Sequence, residues 1–591
     1  LRQPRQYLFK TRFTELAPQA DAANMTLTGG LSGELLAGSQ QGRLSLVASP
    51  MQLALPGQLK QPLRILGGEG ELRWQRQGAG WQLAIPAMAV ATPDFSARLQ
   101  GQVRLPEQGT SQSDLQLAID NVAINRVPAY LPQLIGADTL AWLQAALQGG
   151  QARQVRATLQ GDVMQFPFAG GVGGRFTVDA RVAGGKLRFD PAWPLIDGID
   201  GEYRMRNDAI EVAATRAVTA GISLQQVQVR LPDTMKATQT LQINGQAVGE
   251  LSAMLGYTRL SPVDGWLGGF LSTLDASGPG KLQLGLAIPL DEAEKTRVSG
   301  DISLAGNTLQ LRSLPLPLLT GIDGVLHFNE HGIASPGIGY SAFGGRSRLQ
   351  ASLDARGRMQ FTSQGQVDVQ QVLQQYVPFL MPYAQGQTDY KADFTVSNNL
   401  DALAVQSSLQ GVSTTVPAPL AKAAEQRWPL QLGVFATQTG WQVDWQIPQH
   451  AQGLVALGHD GQLLGAGVGV GAEAPVPEGR IAIKVDAPVL QLAPWLAALP
   501  ESQADGGEWA LPLSLGIATP RFMAQGKVLN NVQAALGWHG GESPVALNIK
   551  AREVSGTLQY MPRGKGRLQA RLAHLALPLE DDGQPAATDA E

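Results

Sequence analysis

The sequence contains no cysteine, so neither a disulfide framework nor a thiolate metal site can hold it together. Charge is scarce as well: Asp, Glu, Lys and Arg make up 16% of the chain, against about 25% in an ordinary soluble domain. The net charge is −4 and the pI near 6.0. No basic stripe interleaves with aromatics, which argues against nucleic acid as a partner. The six histidines are scattered, and the closest pair, His327 and His331, flanks a polar turn and reads as solvated hairpin residues, not as a metal pair. No H-E-x-x-H, G-x-S-x-G or P-loop pattern occurs. The chain is therefore read as non-enzymatic, with no cofactor and no metal. Long apolar runs are missing too. Gly, Pro or a charge interrupts each one well before about 18 residues, so none can span a bilayer as a helix. The chain begins at Leu1 without a signal-like segment and reads as a fragment whose targeting element lies elsewhere.

What is present is glycine and alternation. There are 69 glycines in 591 residues, where average usage of about 7% would give about 41. The segment Pro194-Leu195-Ile196-Asp197-Gly198-Ile199-Asp200-Gly201 recurs as Pro317-Leu318-Leu319-Thr320-Gly321-Ile322-Asp323-Gly324. Each copy leads into a strand, a polar turn and a second strand, with turns at Asn207-Asp208 and at residues 329–332. Looser copies begin at Gly67 and at Trp428-Pro429-Leu430, the latter matching Trp193-Pro194-Leu195. Gly supplies positive φ and Asp bonds its own backbone, so these Asp and Gly residues are placed at tight reversals between strands, not in a catalytic pair.

Elsewhere apolar and polar residues alternate with the period of a half-buried strand, over residues 95–105, 226–231, 240–243, 281–288, 348–353, 480–485 and 567–572. Short helix candidates interrupt these runs. Asp138 is placed to N-cap a segment carrying Leu140, Leu143 and Leu147, and the pair Trp142-Leu143 reappears as Trp266-Leu267, about 120 residues on. Tyr130-Leu131-Pro132 resembles Tyr376-Val377-Pro378, and Ala493-Pro494-Trp495-Leu496 is a last version. The spacing divides the chain into strand-rich units at residues 1–119, 120–243, 244–367, 368–485 and 486–578, with a polar tail at 579–591. The glycine run from Gly465 to Gly471 reads as a flexible loop or Gly-rich strand, since no βαβ context follows it, and residues 168–174 read as a hairpin.

At roughly 12 to 15 residues per strand and turn, about 40 strands are expected. The helices are too few to cover so many one-sided strands, and an apolar face must be buried against something. Either the sheet folds over on itself or a ligand covers it. A structural or adhesive β-solenoid whose interior its own side chains fill is the competing reading, and a hydrolase on a β-scaffold, for which no convergent site is found, is third.

The ordered series Tyr130-Leu131-Pro132, Trp142-Leu143, Phe166-Pro167-Phe168, Lys186-Leu187-Arg188-Phe189, Trp193-Pro194-Leu195, Gly198-Ile199-Asp200-Gly201 and Leu231-Pro232-Asp233 resembles the central region of the YhdP family of AsmA-like proteins. So does the ending Ser555-Gly556-Thr557-Leu558-Gln559-Tyr560, Gly564-Lys565-Gly566-Arg567-Leu568-Gln569-Ala570-Arg571-Leu572 and Leu575-Ala576-Leu577-Pro578. The resemblance implies a Gram-negative envelope protein of the bridge-like lipid transfer type. In the full-length protein an N-terminal helix, absent here, would anchor it in the inner membrane, leaving this part in the periplasm. It further implies phospholipid as cargo and the inner and outer membranes as partners, reached through regions not in this chain.

The expectation is thus an elongated, twisted, mostly antiparallel β-groove, an open trough of repeating units with short amphipathic helices at its rim, that conducts phospholipid between membranes. Its lining is placed at Leu282, Leu284, Leu286, Ile288, Val227, Val229, Leu231, Leu241, Ile243, Leu349, Leu353, Met359, Phe361, Phe394 and Val396, the apolar side being taken as the sheltered one.

Overall fold

The computed structural model describes residues 9–16, 26–56, 58–236, 238–312, 316–353, 359–396, 400–498, 511–562 and 566–576; the tail expected at 579–591 lies outside them. Among the described residues the chain is mostly β, with 63% of them in strands and 13% in helices, and 35 strands where about 40 were expected for the chain. It divides into two compact units, Leu1–Leu316 with Asp323–Gly332, and Pro317–Ile322 with Ile333–Glu591.

In the first unit the strands from Phe9–Leu16 to Arg297–Leu311 pair antiparallel with their chain neighbours, one hairpin after another. Two short strands, Leu63–Ile65 and Leu274–Ser277, extend the ladders of Gln41–Ala54 and Arg297–Leu311. Among the described residues Phe9–Leu16 pairs with no strand but Thr26–Ala37, so the sheet stays open. Turns fall where Asn, Asp and Gly predicted them: Asn207, at φ 51°, joins Ile196–Arg206 to Ala209–Thr219. Helices sit between strands near the expected places. Ala137–Ala146 precedes Leu147–Gly161, and Leu251–Arg259 with Val263–Trp266 follows Thr240–Glu250. Asp138 is not the N-cap, however. Gly136 takes that position and Asp138 falls in the first turn, where a carboxylate still favours the helix dipole.

The recurring Asp-Gly motif is also not a reversal. It lies inside strands, where the register slips between Asp197 and Asp200 against one neighbour and between Val182 and Gly185 against the other. Gly184 and Gly198 take φ of 60° and 62° to absorb the bulged residues. The Asp200 carboxylate accepts from the Gly184 N–H at 2.8 Å and from Arg216 Nε at 2.6 Å. The device repeats: Gly306, at φ 69°, donates its N–H to Asp323 at 2.9 Å. A bulge bends its strand and sharpens the local twist, so the motif distorts the sheet locally where it falls.

The second unit continues the meander from Gly332–Ala342 to Ile447, with the strand Val412–Thr414 laid beside Ala384–Val396. Its helices are Val369–Tyr376, which Asp368 N-caps through the Gln370 N–H, and Leu492–Ala498. Here the antiparallel rule breaks. Leu463–Val470, Ile481–Asp486 and Leu513–Ala524 run parallel, so the chain must cross back over the sheet between the first two. That crossover explains the glycine run, which is a strand. A Cβ on Gly467 would collide with the carbonyl of Pro475, and one on Gly469 with that of Ala472. The absence of side chains lets residues 472–478 lie directly on the ladder.

Gly467→Ala is therefore expected to destabilise the second unit by about 1–3 kcal/mol, whereas Gly537→Ala, which meets no atom within 4 Å, changes stability by less than about 0.5 kcal/mol. Denaturant unfolding of the two variants checks this; equal midpoints would contradict the close crossing.

Candidate functional site

Strand alternation sends every second residue to one face, and the pairing register lines these residues up from strand to strand. In the first unit one row runs Tyr203, Val212, Val229, Ile243, Leu286, Val298. A parallel row runs Gly33, Leu46, Gly70, Met88, Leu99, Leu117, Ala157, Val178, Met205, Ile210, Leu231. The opposite face carries Arg204, Glu211, Arg230 and Gln242 in register, with Arg230 Nε 3.3 Å from Glu211 and Gln82 donating to Gln102 at 2.7 Å. Such cross-strand pairs contribute roughly 0.2–1 kcal/mol each.

The residues singled out from sequence fall into two groups. Val227, Val229, Leu231, Leu241, Ile243, Leu282, Leu284, Leu286 and Ile288 occupy one face of three neighbouring strands in the first unit: Leu241 faces Ile288, Ile243 faces Leu286 and Val229 faces Ile243. Leu349, Leu353, Met359, Phe361 and Phe394 share a face in the second unit, where the Phe361 and Phe394 rings stack at 4.9 Å. Val396 stands opposite Met359 in the ladder, but its side chain lies outside the described residues. All the described members remain partly open to solvent, and Leu353 is 40% exposed. The buried apolar set is different and mixes small side chains such as Ala214, Ala217, Ala392 and Ala482 with larger ones such as Met51, Leu140, Phe168 and Trp428. Sequence reasoning missed how far the rows extend. From Ala351 one continues through Phe361, Phe394, Leu403, Val434, Val443, Val455, Ala466, Ile481, Leu513 and Trp538.

The helices mark one border of the face. Met254 of Leu251–Arg259 sits over Gly280, where an added Cβ would lie 3.1 Å from its sulfur. Beside it an aromatic cluster gathers around Trp193, with ring centroids 5.3 Å from Phe189, 6.1 Å from Tyr257 and 5.8 Å from Trp266. Trp142 donates its indole N–H to the Phe189 carbonyl at 2.9 Å, and in the second unit Trp495 does the same to Ala418 at 3.1 Å. Trp266 nevertheless leaves 71% of its surface exposed. Burial pushes the Tyr257 phenol above its ordinary range. A second anchor ties the 3₁₀ segment Ile124–Tyr130 to the turn after Gly80–Ala91: Asp94 accepts from Arg126 at 2.9 Å and from Tyr130 at 2.6 Å. Arg126, and after it Tyr130, hold the Asp94 carboxyl below its usual range.

Each unit thus presents a one-sided apolar surface, and among the described residues of these rows no acid, base and nucleophile converge. The family model described as YhdP protein matches residues 1–591. The chain belongs to the YhdP family. It is 23% identical over 576 residues to the intermembrane phospholipid transporter YhdP of Escherichia coli K12, an alignment covering 92% of this chain and 43% of that protein. This YhdP-family chain thus spans less than half the length of the curated relative. No solved structure matches it. Among the described residues no helix is long and apolar enough to cross a membrane.

The Asp94 anchor carries a sign that can be checked. A depressed carboxylate contributes stability fully above its unfolded pKa of about 3.9 and loses it as the pH falls through the lower folded value. Asp94→Asn should lower the melting temperature at pH 7, and the gap to the parent should close on acidification below about pH 3. A gap that persists in acid would show that the carboxylate's charge is not what holds the segment.

Proposed function

We propose that this chain is a section of a phospholipid conduit between two membranes: acyl chains lie along the apolar face, and head groups stay in water at its open side. The observation that carries this reading is the incomplete burial of Leu282, Leu284, Leu286 and Ile288 and their aligned neighbours, a hydrocarbon surface over which no second sheet packs among the described residues. The printed activity of the E. coli relative, intermembrane phospholipid transport, supports hydrocarbon as what completes it. Burying an acyl chain there gains about 0.8 kcal/mol per CH₂ at most, enough to compete with a bilayer only where the apolar rows are unbroken. The rows persist from strand to strand, which an isolated pocket would not provide. The same groove residues named from sequence are assigned to acyl contact, the five strand-rich units to successive stretches of one conduit, and the protein to the periplasm with inner and outer membranes as donor and acceptor. No covalent step is involved. The alternative of a self-filled solenoid is disfavoured because its inward leucines would be buried by the opposite wall.

A phospholipid with a diazirine on one acyl chain tests this. Leu284→Lys with Leu286→Lys should reduce photocrosslinking about 10-fold or more, since a lysine in hydrocarbon costs at least about 2.5 kcal/mol. Gln283→Lys, on the exposed opposite face, should leave it unchanged. Undiminished crosslinking in the folded double variant would overturn the assignment.

A further inference from the structure

The polar face of the first unit, opposite the apolar rows, carries a cluster of cations that the fold leaves without partners. Asp179 and Arg181 alternate onto that face, and the ladder sets Arg156 beside Asp179 and Arg153 beside Arg181. Counting from Arg156, strict alternation would turn Arg153 to the apolar side. Instead the register against Gly174–Leu187 slips between Asp179 and Arg181, with Gln154 at φ 51°, and this extra residue returns Arg153 to the polar face. All three arginines are exposed.

The carboxylates around them are already occupied. Asp120 pairs with Arg98 at 3.7 Å, Asp179 with Arg206 at 2.6 Å, Asp197 with Lys186 at 3.0 Å and Asp200 with Arg216 at 2.6 Å. Glu202, which the ladder sets opposite Arg181, pairs with Arg204. The Gly184 N–H, and after it Arg216, hold the Asp200 carboxyl below its usual range, and Arg153 adds only its field. Among the described residues no ion pair reaches Arg153, Arg156 or Arg181. Like charges directly opposite each other weaken a ladder, and a chain of net charge −4 has no general surplus of cations to account for three together. The arrangement suits an anion from outside. A guanidinium grips a carboxylate with two parallel N–H bonds. Cross-strand neighbours stand about 5 Å apart, so Arg153 and Arg181 can close on one such group while Arg156 takes a second.

We propose that Arg153, Arg156 and Arg181 form a docking site on the polar face of the first unit for a polypeptide segment that presents two closely spaced Asp or Glu side chains. The sheet itself separates this site from the apolar face, so the proposal is independent of the lipid-conduit reading. A narrow segment fits better than an anionic bilayer, because a flat charged surface would also press on Asp120, Asp179 and Glu202, which are interleaved with the arginines and would repel it.

The test is the anisotropy of a fluorescent hexaglutamate peptide titrated with the whole chain in about 50 mM salt, where exposed charges are only partly screened. Arg181→Gln should weaken binding about 10-fold or more, the worth of a charge-assisted contact. Arg181→Lys, which keeps the charge but not the fork, should fall between the two. Arg230→Gln removes the same charge from the same face, but from an arginine already paired with Glu211, and should stay within about 2-fold of the parent. Since Arg181→Gln relieves a like-charge contact, its melting temperature should not fall; a fall would make the cluster structural and overturn the site. Equal losses in Arg181→Gln and Arg230→Gln would reduce the effect to net charge and overturn it, as would failure of the parent to bind the peptide. Displacement of the peptide by inorganic phosphate at equal concentration, or by phosphatidylglycerol vesicles, would assign the cluster to phosphate or to a membrane and overturn it too.

Discussion

Backbone hydrogen bonding between sequential strands is the interaction on which the rest of this protein depends. In each unit nearly every strand pairs with its chain neighbours, so the amides and carbonyls are satisfied within the ladder and no second layer is needed for that purpose. Stability is then close to a sum of neighbour terms, as in other repeat architectures. The cost of this solution is a face whose apolar side chains are only half hidden. An ordinary domain would place helices or another sheet over it; here the helices are short and stand between strands, at its border.

That partly open face is the surface the proposed conduit would use. Glycines and aspartates bend the sheet at a bulge around Asp200 and Gly184, and the same Asp-to-Gly N–H bond recurs between Asp323 and Gly306. Aromatic side chains such as Trp142, Trp193 and Trp495 pin the excursions that interrupt the meander. None of these devices supplies chemistry. They position hydrocarbon rows in register from strand to strand.

Much of this was legible in the residues. Strict alternation over 281–288 marks which leucines share a face, and Asn207-Asp208 marks a turn, because both features are local and the backbone expresses them wherever the strand lies. Family membership was legible as well, in an ordered series of weak motifs. Other features misled. Asp200 and Gly198 look like a reversal, and only the register slip on both neighbours identifies a bulge. The glycines from Gly465 onward gave no sign of the crossing chain, whose contact comes from residues 472–478. Ser347 and Ser363, polar by type, are natural candidates for the wet face, yet their position two residues from Leu349 and Phe361 places them on the apolar one.

The amino-acid sequence alone determined the strand content, most turns and the sites of the short helices, since each of these follows from residues close together in the chain. Which side chains stand next to each other across strands was decided by tertiary structure. Register is a property of a pair of strands, and a slip of one residue at a bulge exchanges the two faces. The length of the apolar rows, the crossover on Gly467 and the meeting of Arg153 with Arg181 all depend on that pairing.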